Sequence, residues 1–310
     1  FLYIFSVLMK DFLTKAILFF ILTMVGLAFL LLKYGYFVDY FYEKFTTPKQ
    51  TSLILGDSRS MQGIQPRIIN QELKNDGYHL PMFNYSFTIS QINYGKPYTE
   101  SIKKKLQSSN NGLFIISVHP WLLTEREGDD LKNGIYSERS NPPHNMVFTN
   151  ISPNFEYFVR NFKYFHFRSI IKQTAELHKD GWLEESNLPK DKETLQTWKN
   201  NQILLYKSFA KKWRKSTIRK NDFIKMVEFL QKNGKVILVR MPVDAKILNI
   251  ENNFWQNFDE EINIVSKQLN VKYINFSKEN KYKTYDGNHI DKYGGVVFTK
   301  ELCDSIKIVK

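Results

Sequence analysis

The sequence predicts an α/β protein with a central parallel sheet, preceded by one transmembrane helix. From residue 46 onwards apolar runs alternate with amphipathic segments, which is typical of parallel-sheet domains. The run LFIISV at 113–118 is apolar except for Ser117, as expected of a strand buried on both faces. Before this region, residues 16–32 read AILFFILTMVGLAFLLL without a charge. That length approaches the roughly 20 residues needed to cross a bilayer.

The N-terminal apolar segment is interpreted as an uncleaved membrane anchor. Lys10 and Lys15 precede it, which favours a cytoplasmic N-terminus and an extracytoplasmic main domain. A signal peptide is the competing interpretation, but KYGYFVDY offers no small-residue cleavage site. A buried core helix is disfavoured because the segment has no polar face. Amphipathic aromatics, which favour a membrane interface, crowd directly after it: Tyr34, Tyr36, Phe37, Tyr40, Phe41, Tyr42 and Phe45.

The remaining elements follow from the same alternation. Strands are predicted at 52–55, 82–86, 113–118, from 236 onwards and at 271–276. Helices are predicted at 66–74, 91–107, 222–232, 259–269 and after Tyr293. The helix at 91–107 has a lysine-rich exposed side. The helix at 222–232 is closed by Asn233 and Gly234, a usual C-terminal stop.

Between residues 121 and 220 the alternation is lost. This segment is aromatic and basic, as in FEYFVRNFKYFHFRSIIK and TWKNNQILLYKSFAKKWRK, and we interpret it as a largely helical insertion over one end of the sheet. Its aromatics are expected to pack onto the main domain, with a substrate-covering lid or a docking surface for a membrane partner as the alternative. The predicted domains are an anchor with its juxtamembrane segment at 1–45 and an α/β domain at 46–310. A short linker is predicted at 46–48.

Composition narrows the classes of function. The formal net charge is +13, but the lysines are spread along the chain without an obvious phosphate-binding stripe, so no nucleic-acid partner is expected. Anionic envelope polymers or lipid headgroups account for the charge as well. The single Cys303 forms no internal disulfide, and no Cys/His cluster resembles a zinc site. We expect no metal and no cofactor.

Ser58 lies where chemistry is expected, because it follows the first predicted strand and ligands bind beyond the carboxyl ends of such strands. A serine hydroxyl needs a neighbouring base, and that base needs a group to orient it. Only His289, in the loop YDGNHIDKYGG, has suitable surroundings. Asp286 is three residues before it, so we expect the carboxylate to reach Nδ1 while Nε2 points towards Ser58. Asp291 is the weaker candidate for the orienting acid.

The two motifs in this order, GDS after the first strand and D-x-x-H before the last helix, resemble the SGNH or GDSL hydrolase superfamily. The resemblance covers about residues 50–305 apart from the insertion. It implies a flavodoxin-like three-layer SGNH-hydrolase fold. It further implies Ser58 as nucleophile, His289 as general base and Asp286 as its orienting acid. The backbone N–H of Ser58 would contribute to the oxyanion hole.

The resemblance is weaker at two further sequence motifs of the family, here called the second and third blocks, which complete the oxyanion hole. The second block, FNYSFTIS, has Asn84 or Ser86 where the family glycine is expected, and the third reads SVHPW in place of G-x-N-D. One oxyanion donor is worth about 3 to 4 kcal/mol, so either other groups replace these donors or the site is weak. By position Asn84, Ser86 and His119 are the candidates. For each of them a structural role is the alternative.

Two arginines are candidates for substrate contacts. Arg59 follows Ser58, and Arg240 lies near the end of the fourth predicted strand. Either side chain would suit an anionic substrate or an acyl carbonyl in the crevice. For both, a structural ion pair or a solvated position is the alternative.

The anchor, the SGNH-like domain and the third block together are similar to the D-alanyl transfer proteins of teichoic-acid modification. Related anchored SGNH proteins assist polysaccharide O-acetylation alongside membrane-bound O-acyltransferases. The predicted function is therefore a membrane-anchored extracytoplasmic serine acyltransferase or esterase that acts on acyl esters of a cell-envelope glycan. A non-catalytic SGNH-fold subunit of a membrane complex is the first alternative. A carbohydrate-binding module without chemistry is the second.

Overall fold

The computed structural model describes residues 2–161, 175–279 and 281–308. Its helices are α1 Leu2–Val38, α2 Ser58–Gly63, α3 Pro66–Glu72, α4 Lys96–Lys105, α5 Phe155–Asn161, α6 Lys192–Lys212, α7 Thr217–Gln231, α8 Ala245–Phe254, α9 Phe258–Gln268 and α10 Lys292–Lys307. Its strands are β1 Ser52–Leu55, β2 Met82–Asn84, β3 Gly112–Ser117, β4 Thr124–Glu125, β5 Ala175–Leu177, β6 Leu183–Glu185, β7 Arg214–Lys215, β8 Gly234–Arg240 and β9 Lys272–Asn275.

A five-stranded parallel sheet forms the centre of the domain, in the order β2-β1-β3-β8-β9. In register, Ile54 on β1 pairs with Ile115 on β3, which pairs with Ile237 on β8. Numbered within this sheet, the strands run 2-1-3-4-5, the flavodoxin-like order, whose crevice opens beside the first strand. The predicted α/β fold with a central parallel sheet is confirmed.

Two hydrophobic cores flank the sheet and make the domain three-layered. Successive strand residues point to opposite faces, so Leu53 and Leu55 enter one core while Ile54 enters the other. The first core packs against α4, α7 and α9. The second packs against α3 and α10 through residues such as Ile69 and Phe298.

Several predicted bounds differ from the observed ones. Helix α4 begins at Lys96 rather than 91, because the backbone N–H of Tyr94 pairs with Leu122 O (2.9 Å) outside any helix. Helix α7 begins at Thr217 rather than 222, where the Ser216 side chain accepts a hydrogen bond from the first turn. Helix α8 was not predicted.

The insertion at 121–220 is only partly helical in the described residues. Helix α6 is its longest element, and two short antiparallel pairs, β4–β7 and β5–β6, accompany it. The part of the predicted insertion at 162–174 lies outside the described residues. Trp121 and Tyr206 are buried together with Val243 and Ile247, so these aromatics pack onto the main domain.

Helix α1 contains the predicted membrane span. Residues Phe5–Gly35 are long and apolar enough to cross a bilayer by length and composition, a test that a signal sequence also passes. Most of its large apolar side chains are exposed, whereas Leu27 and Leu31 pack on the first core. The helix therefore contacts the α/β domain near its C-terminal end.

The segment between α1 and β1 is part of the domain core. Phe41, Tyr42 and Phe45 are buried, so for these three the predicted place at a membrane interface is wrong. They pack in the first core, where Phe45 stacks on the Tyr157 ring at 5.0 Å. The predicted linker at 46–48 is also held in place, since the buried Lys105 ammonium donates to Thr47 O and Oγ1 at 2.7 Å.

Candidate active site

Ser58 is placed by a tight turn between β1 and α2. Gly56 has φ +144°, and a Cβ there would lie 2.5 Å from Ser60 Oγ and 2.7 Å from Ser117 Cβ. Glycine is therefore required at this position. Asp57 caps α2 by accepting the Arg59 backbone N–H at 3.2 Å. The turn delivers Ser58 to the carboxyl edge of the sheet.

Ser58, His289 and Asp286 form a continuous chain of hydrogen bonds. His289 Nε2 lies 2.8 Å from Ser58 Oγ, and Nδ1 lies 2.7 Å from Asp286 Oδ2. The other carboxylate oxygen of Asp286 accepts the backbone N–H groups of Asn288 (2.9 Å) and His289 (2.8 Å). The loop between β9 and α10 thus holds the acid and the base together. The structure brings together the three residues that the motifs singled out.

The electrostatics of this chain favour proton transfer to the imidazole. Burial lowers the pKa of His289, but the Asp286 carboxylate outweighs burial and the pKa is raised above 6.5. Burial likewise raises the pKa of Asp286, but His289 and the backbone donors outweigh it, so this pKa is lowered. Asp286 is therefore ionised at neutral pH and stabilises an imidazolium. Ser58 and His289 each retain 8% exposure.

Asp291 lies outside this chain of hydrogen bonds. Its side chain accepts the Gly294 backbone N–H at 2.7 Å and caps α10. That contact is a usual one for aspartate before a helix. The structure thus places Asp286, rather than Asp291, against the imidazole.

Asn288 is a site residue that the sequence did not single out. Its Nδ2 lies 3.0 Å from His289 Nε2. Its Oδ1 accepts Arg59 Nε and Tyr206 OH, both at 2.8 Å. A guanidinium has only donors, so the amide oxygen must face Arg59. The amide N–H group is thereby directed at the imidazole.

Arg59 and Arg240 share one buried carboxylate. Arg59 Nη2 lies 2.7 Å from Glu251 Oε1, and Arg240 Nη2 lies 3.0 Å from Oε2. Arg240 also pairs with Asp259 at 2.7 Å. Burial raises the pKa of Glu251, but the two guanidinium groups outweigh it and bring the pKa to about 2. Both arginines are buried, so these contacts match the alternative of a structural ion pair.

Asn84 and Ser86 lie beneath the nucleophile turn with internal partners. Asn84 Nδ2 donates to Ser60 O (2.8 Å) and Ile64 O (3.1 Å), and its Oδ1 accepts the Ser86 backbone N–H at 3.1 Å. Ser86 Oγ contacts Ser60 Oγ at 2.9 Å. Both side chains are fully buried. These contacts fix α2 against β2 and again match the structural alternative.

His119 supports the helix cap rather than the hydroxyl of Ser58. Its Nε2 lies 2.8 Å from Asp57 Oδ2. Burial lowers the pKa of His119, which favours a neutral ring that donates Nε2–H to Asp57. Burial raises the pKa of Asp57, but His119 and Arg59 outweigh it and bring the pKa to about 2. A charged Asp57 caps α2 well, because a helix N-terminus favours negative charge.

Helix α6 lies over the catalytic loop. Gln202 Nε2 donates to Asp286 Oδ2 at 3.3 Å, and Tyr206 OH reaches Asn288. The Trp198 ring lies edge-on to Tyr285 at 6.3 Å, and Tyr285 in turn stacks on His289 at 5.8 Å. Residues 198, 202 and 206 recur every four positions, which places them on one face of a helix. This four-residue spacing is the sequence feature that could have indicated their shared position over the loop.

In the described ranges, no group of three or more His, Cys, Asp or Glu side chains is arranged to hold a metal ion.

No family model and no curated protein matches this chain. Among solved structures, it is similar to Est24, a carbohydrate acetylesterase from Sinorhizobium meliloti, at 8% identity over 84% of this chain and 100% of that one, with a TM-score of 0.38. It is also similar to the native aryl esterase of M. smegmatis, at 9% identity over 84% and 100%, with a TM-score of 0.36. Identities and TM-scores this low decide nothing about activity.

Proposed function

We propose that this protein is a membrane-anchored serine acyltransferase or esterase of the SGNH type, acting on acyl esters of a cell-envelope glycan. One observation carries the proposal: the continuous Ser58–His289–Asp286 chain, with contacts of 2.8 and 2.7 Å, at the carboxyl edge of the sheet. A hydroxyl hydrogen-bonded to a base that a carboxylate orients is the arrangement that acyl transfer requires.

In the first half-reaction Ser58 Oγ attacks the acyl carbonyl carbon while its proton passes to His289 Nε2. The carbonyl π electrons move onto oxygen. When this intermediate collapses, the bond to the leaving alkoxide breaks and the alkoxide takes the proton from Nε2. In the second half, water or a glycan hydroxyl attacks the acyl carbon of the acyl-serine as Nε2 takes its proton. This intermediate collapses in turn, the bond between the acyl carbon and Ser58 Oγ breaks, and Oγ takes the proton back from Nε2. Asp286 stabilises the imidazolium in both halves.

The backbone N–H of Ser58 is the proposed oxyanion donor. Ser58 is the first residue of α2, and the first N–H groups of a helix have no acceptor within it. Asp57 takes the neighbouring N–H of Arg59. Because one such donor is typically worth about 3 to 4 kcal/mol, a single donor supports a slower reaction than the family's usual set.

The position of the site supports a membrane-associated substrate. The β5–β6 hairpin lies between the site and the segment that follows α1: Lys44 Nζ donates to Gly181 O. Trp182 Nε1 donates to Gln62 O at 2.7 Å, and Tyr285 OH donates to Gln62 Oε1 at 2.6 Å. These contacts link the end of α1 to the catalytic loop. With α1 as anchor, the site lies within reach of acyl groups at the membrane surface.

We also propose an orientation in the membrane, an acceptor and a partner. The N-terminus is cytoplasmic and the α/β domain extracytoplasmic, at the bacterial cytoplasmic membrane. The acceptor is a cell-envelope glycan, and a membrane-bound O-acyltransferase is the proposed partner. The basic surface of the chain suits anionic envelope polymers, and no nucleic acid is involved.

A non-catalytic subunit is the second candidate function. It is favoured by the internal partners of Asn84, Ser86 and His119, which leave the oxyanion hole with one evident donor. In that case the protein would bind its partner and glycan without forming an acyl-serine.

The two candidates are separated with the full-length protein in detergent micelles and an activated acetate ester, with and without an acetyl-accepting glycan oligosaccharide. Acetyl on the glycan indicates transfer, and free acetate alone indicates hydrolysis. Both should disappear in Ser58→Ala and persist in Ser108→Ala, a change at an exposed serine. The non-catalytic subunit would be established by two results together. The folded protein would neither transfer nor hydrolyse acetyl groups, and Ser58→Ala would support acylation of the glycan in cells as well as the unchanged protein does.

A further inference from the structure

A second apolar surface lies beside the end of α1. Its members are Val147 (55% exposed), Phe148 (50%), Ile151 (44%) and Val159 (77%). They belong to α5 and the loop before it, and we call them the apolar edge. Apolar side chains scattered singly are normal on a protein surface, whereas several large ones exposed on one segment are typical of an interaction site.

The loop that presents the apolar edge is firmly held. The Glu156 carboxylate accepts the backbone N–H groups of Val147 (2.9 Å) and Phe148 (2.8 Å). Asn154 Nδ2 donates to Phe148 O at 3.1 Å, and Lys104 Nζ donates to Met146 O at 2.7 Å. The backbone is thus satisfied while the apolar side chains point outward. The hydrogen bonds of the loop therefore hold these apolar side chains in exposed positions.

The same segment is bonded to the residues that directly follow α1. Tyr157 OH donates to Asp39 Oδ2 at 2.5 Å, and Asp39 is the first residue after the helix. The Asn154 backbone N–H donates to Tyr42 OH at 3.0 Å. The Ile151 backbone N–H donates to Phe45 O at 3.2 Å. The segment that carries the apolar edge is therefore bonded directly to the residues that follow α1.

Basic side chains border the apolar edge. Lys104 is exposed and bonded to the loop. Arg160 follows Val159 and is half exposed, beside Glu156 at 2.8 Å. An apolar surface bordered by cations is typical of segments that lie in the headgroup region of anionic membranes.

We propose that the apolar edge inserts into the bilayer interface beside α1 as a second membrane contact. The proposal rests on the proposed function in one respect, that α1 spans the membrane. Because the end of α1 packs on the domain, a single spanning helix leaves helix and domain free to tilt together relative to the bilayer. A second contact restrains that tilt. It thereby fixes the height and direction of the Ser58 site above the lipid surface.

The single cysteine makes a direct test possible, because Cys303 is buried and a thiol introduced at the surface is labelled selectively. The full-length protein is reconstituted in phosphatidylcholine and phosphatidylglycerol vesicles. An environment-sensitive dye is attached to Phe148→Cys or Val159→Cys, and its emission is recorded with and without brominated lipids. Ile264→Cys, on α9 and 55% exposed, is the matched control. Phe19→Cys, within α1, reports on the anchor.

We expect blue-shifted emission that brominated lipids quench at positions 148, 159 and 19, and unquenched emission at 264. If positions 148 and 159 behave like 264 while 19 is quenched, the second contact is wrong and the anchor stands. If position 19 is also unquenched, the anchor fails and the second contact fails with it.

Discussion

Asn288 Nδ2 lies 3.0 Å from His289 Nε2, the nitrogen that also contacts Ser58 Oγ at 2.8 Å. A neutral imidazole has one lone pair at this atom, so the amide N–H and the serine O–H compete to donate to it. Donation from the amide stabilises the neutral ring and opposes the effect of Asp286. The orientation of one side chain therefore tunes the base.

Removing the Asn288 amide donor should change the pH dependence of Ser58 reactivity. Asn288→Ala is expected to raise the pKa of His289, because the neutral imidazole loses a stabilising donor. The acid limb of the Ser58 reactivity profile then moves to higher pH. Asn288→Asp should move it further in the same direction, since a carboxylate beside Nε2 favours the imidazolium. Rates of labelling by an organophosphonate, measured across pH, check both. An unmoved limb in both variants would contradict this role.

In the unchanged protein, reactivity requires neutral His289. Because its folded pKa is raised above 6.5, reactivity should fall as pH drops through a midpoint above that value. Asp286→Asn removes the largest cause that raises the pKa. We expect it to move the midpoint down and to lower the plateau by about 10⁴-fold, the loss known for such changes in serine hydrolases. A midpoint below 6.5 in the unchanged protein would contradict the assignment.

The same pKa shift affects stability. A group whose folded pKa is raised contributes stability that is fully present below its unfolded pKa and is lost as pH rises through the folded value. The contribution of His289 to the free energy of unfolding should therefore decline above pH 6.5. The Asp286→Asn variant should lack that decline in thermal melts recorded across this range.

Glu251 should be a stability residue. Glu251→Gln leaves the buried Arg59 and Arg240 side chains without their shared carboxylate, and breaking such a buried pair costs about 3–5 kcal/mol. Glu127→Gln is the control, because Glu127 pairs with Lys212 at the exposed surface, where a pair is worth about 0–1 kcal/mol. Denaturation in detergent measures both. Equal stability of the two variants would refute the cluster's role.

The segment after α1 should be needed for folding. A chain that starts at Thr46 lacks the buried Phe41, Tyr42 and Phe45, and truncation of one such phenylalanine to alanine already costs about 3–5 kcal/mol. We expect that chain to aggregate or to melt without cooperativity, whereas one that starts at Asp39 folds. A cooperative melt of the Thr46 chain at the same temperature would show that the predicted boundary at residue 46 holds.

Local patterns were enough to predict the sheet and the candidate catalytic residues. The apolar strands alternate with helices in the chain, and Ser58, Asp286 and His289 lie in short motifs at element ends. Such signals need only a few neighbouring residues. They can be read from one sequence because the turn at Ser58 and the loop that holds Asp286 and His289 are each formed by neighbouring residues.

What the sequence missed depends on contacts between distant residues. The Asn288 orientation requires Arg59 and Tyr206, which are brought to it by two other elements. Glu251 lies on α8, a helix outside the elements that the sequence predicts. Phe41 and Phe45 have the composition of a membrane interface, and only the packing against Tyr157 and Phe87 shows that they are core residues.

The central claim is that Ser58 is an activated nucleophile. The most direct measurement exposes the full-length protein to a fluorescent organophosphonate, beside Ser58→Ala and His289→Ala versions whose folding is verified by thermal melting. We predict a labelled protein that becomes unlabelled in both variants. A folded, unlabelled wild-type protein, or labelling that persists in Ser58→Ala, would contradict the claim.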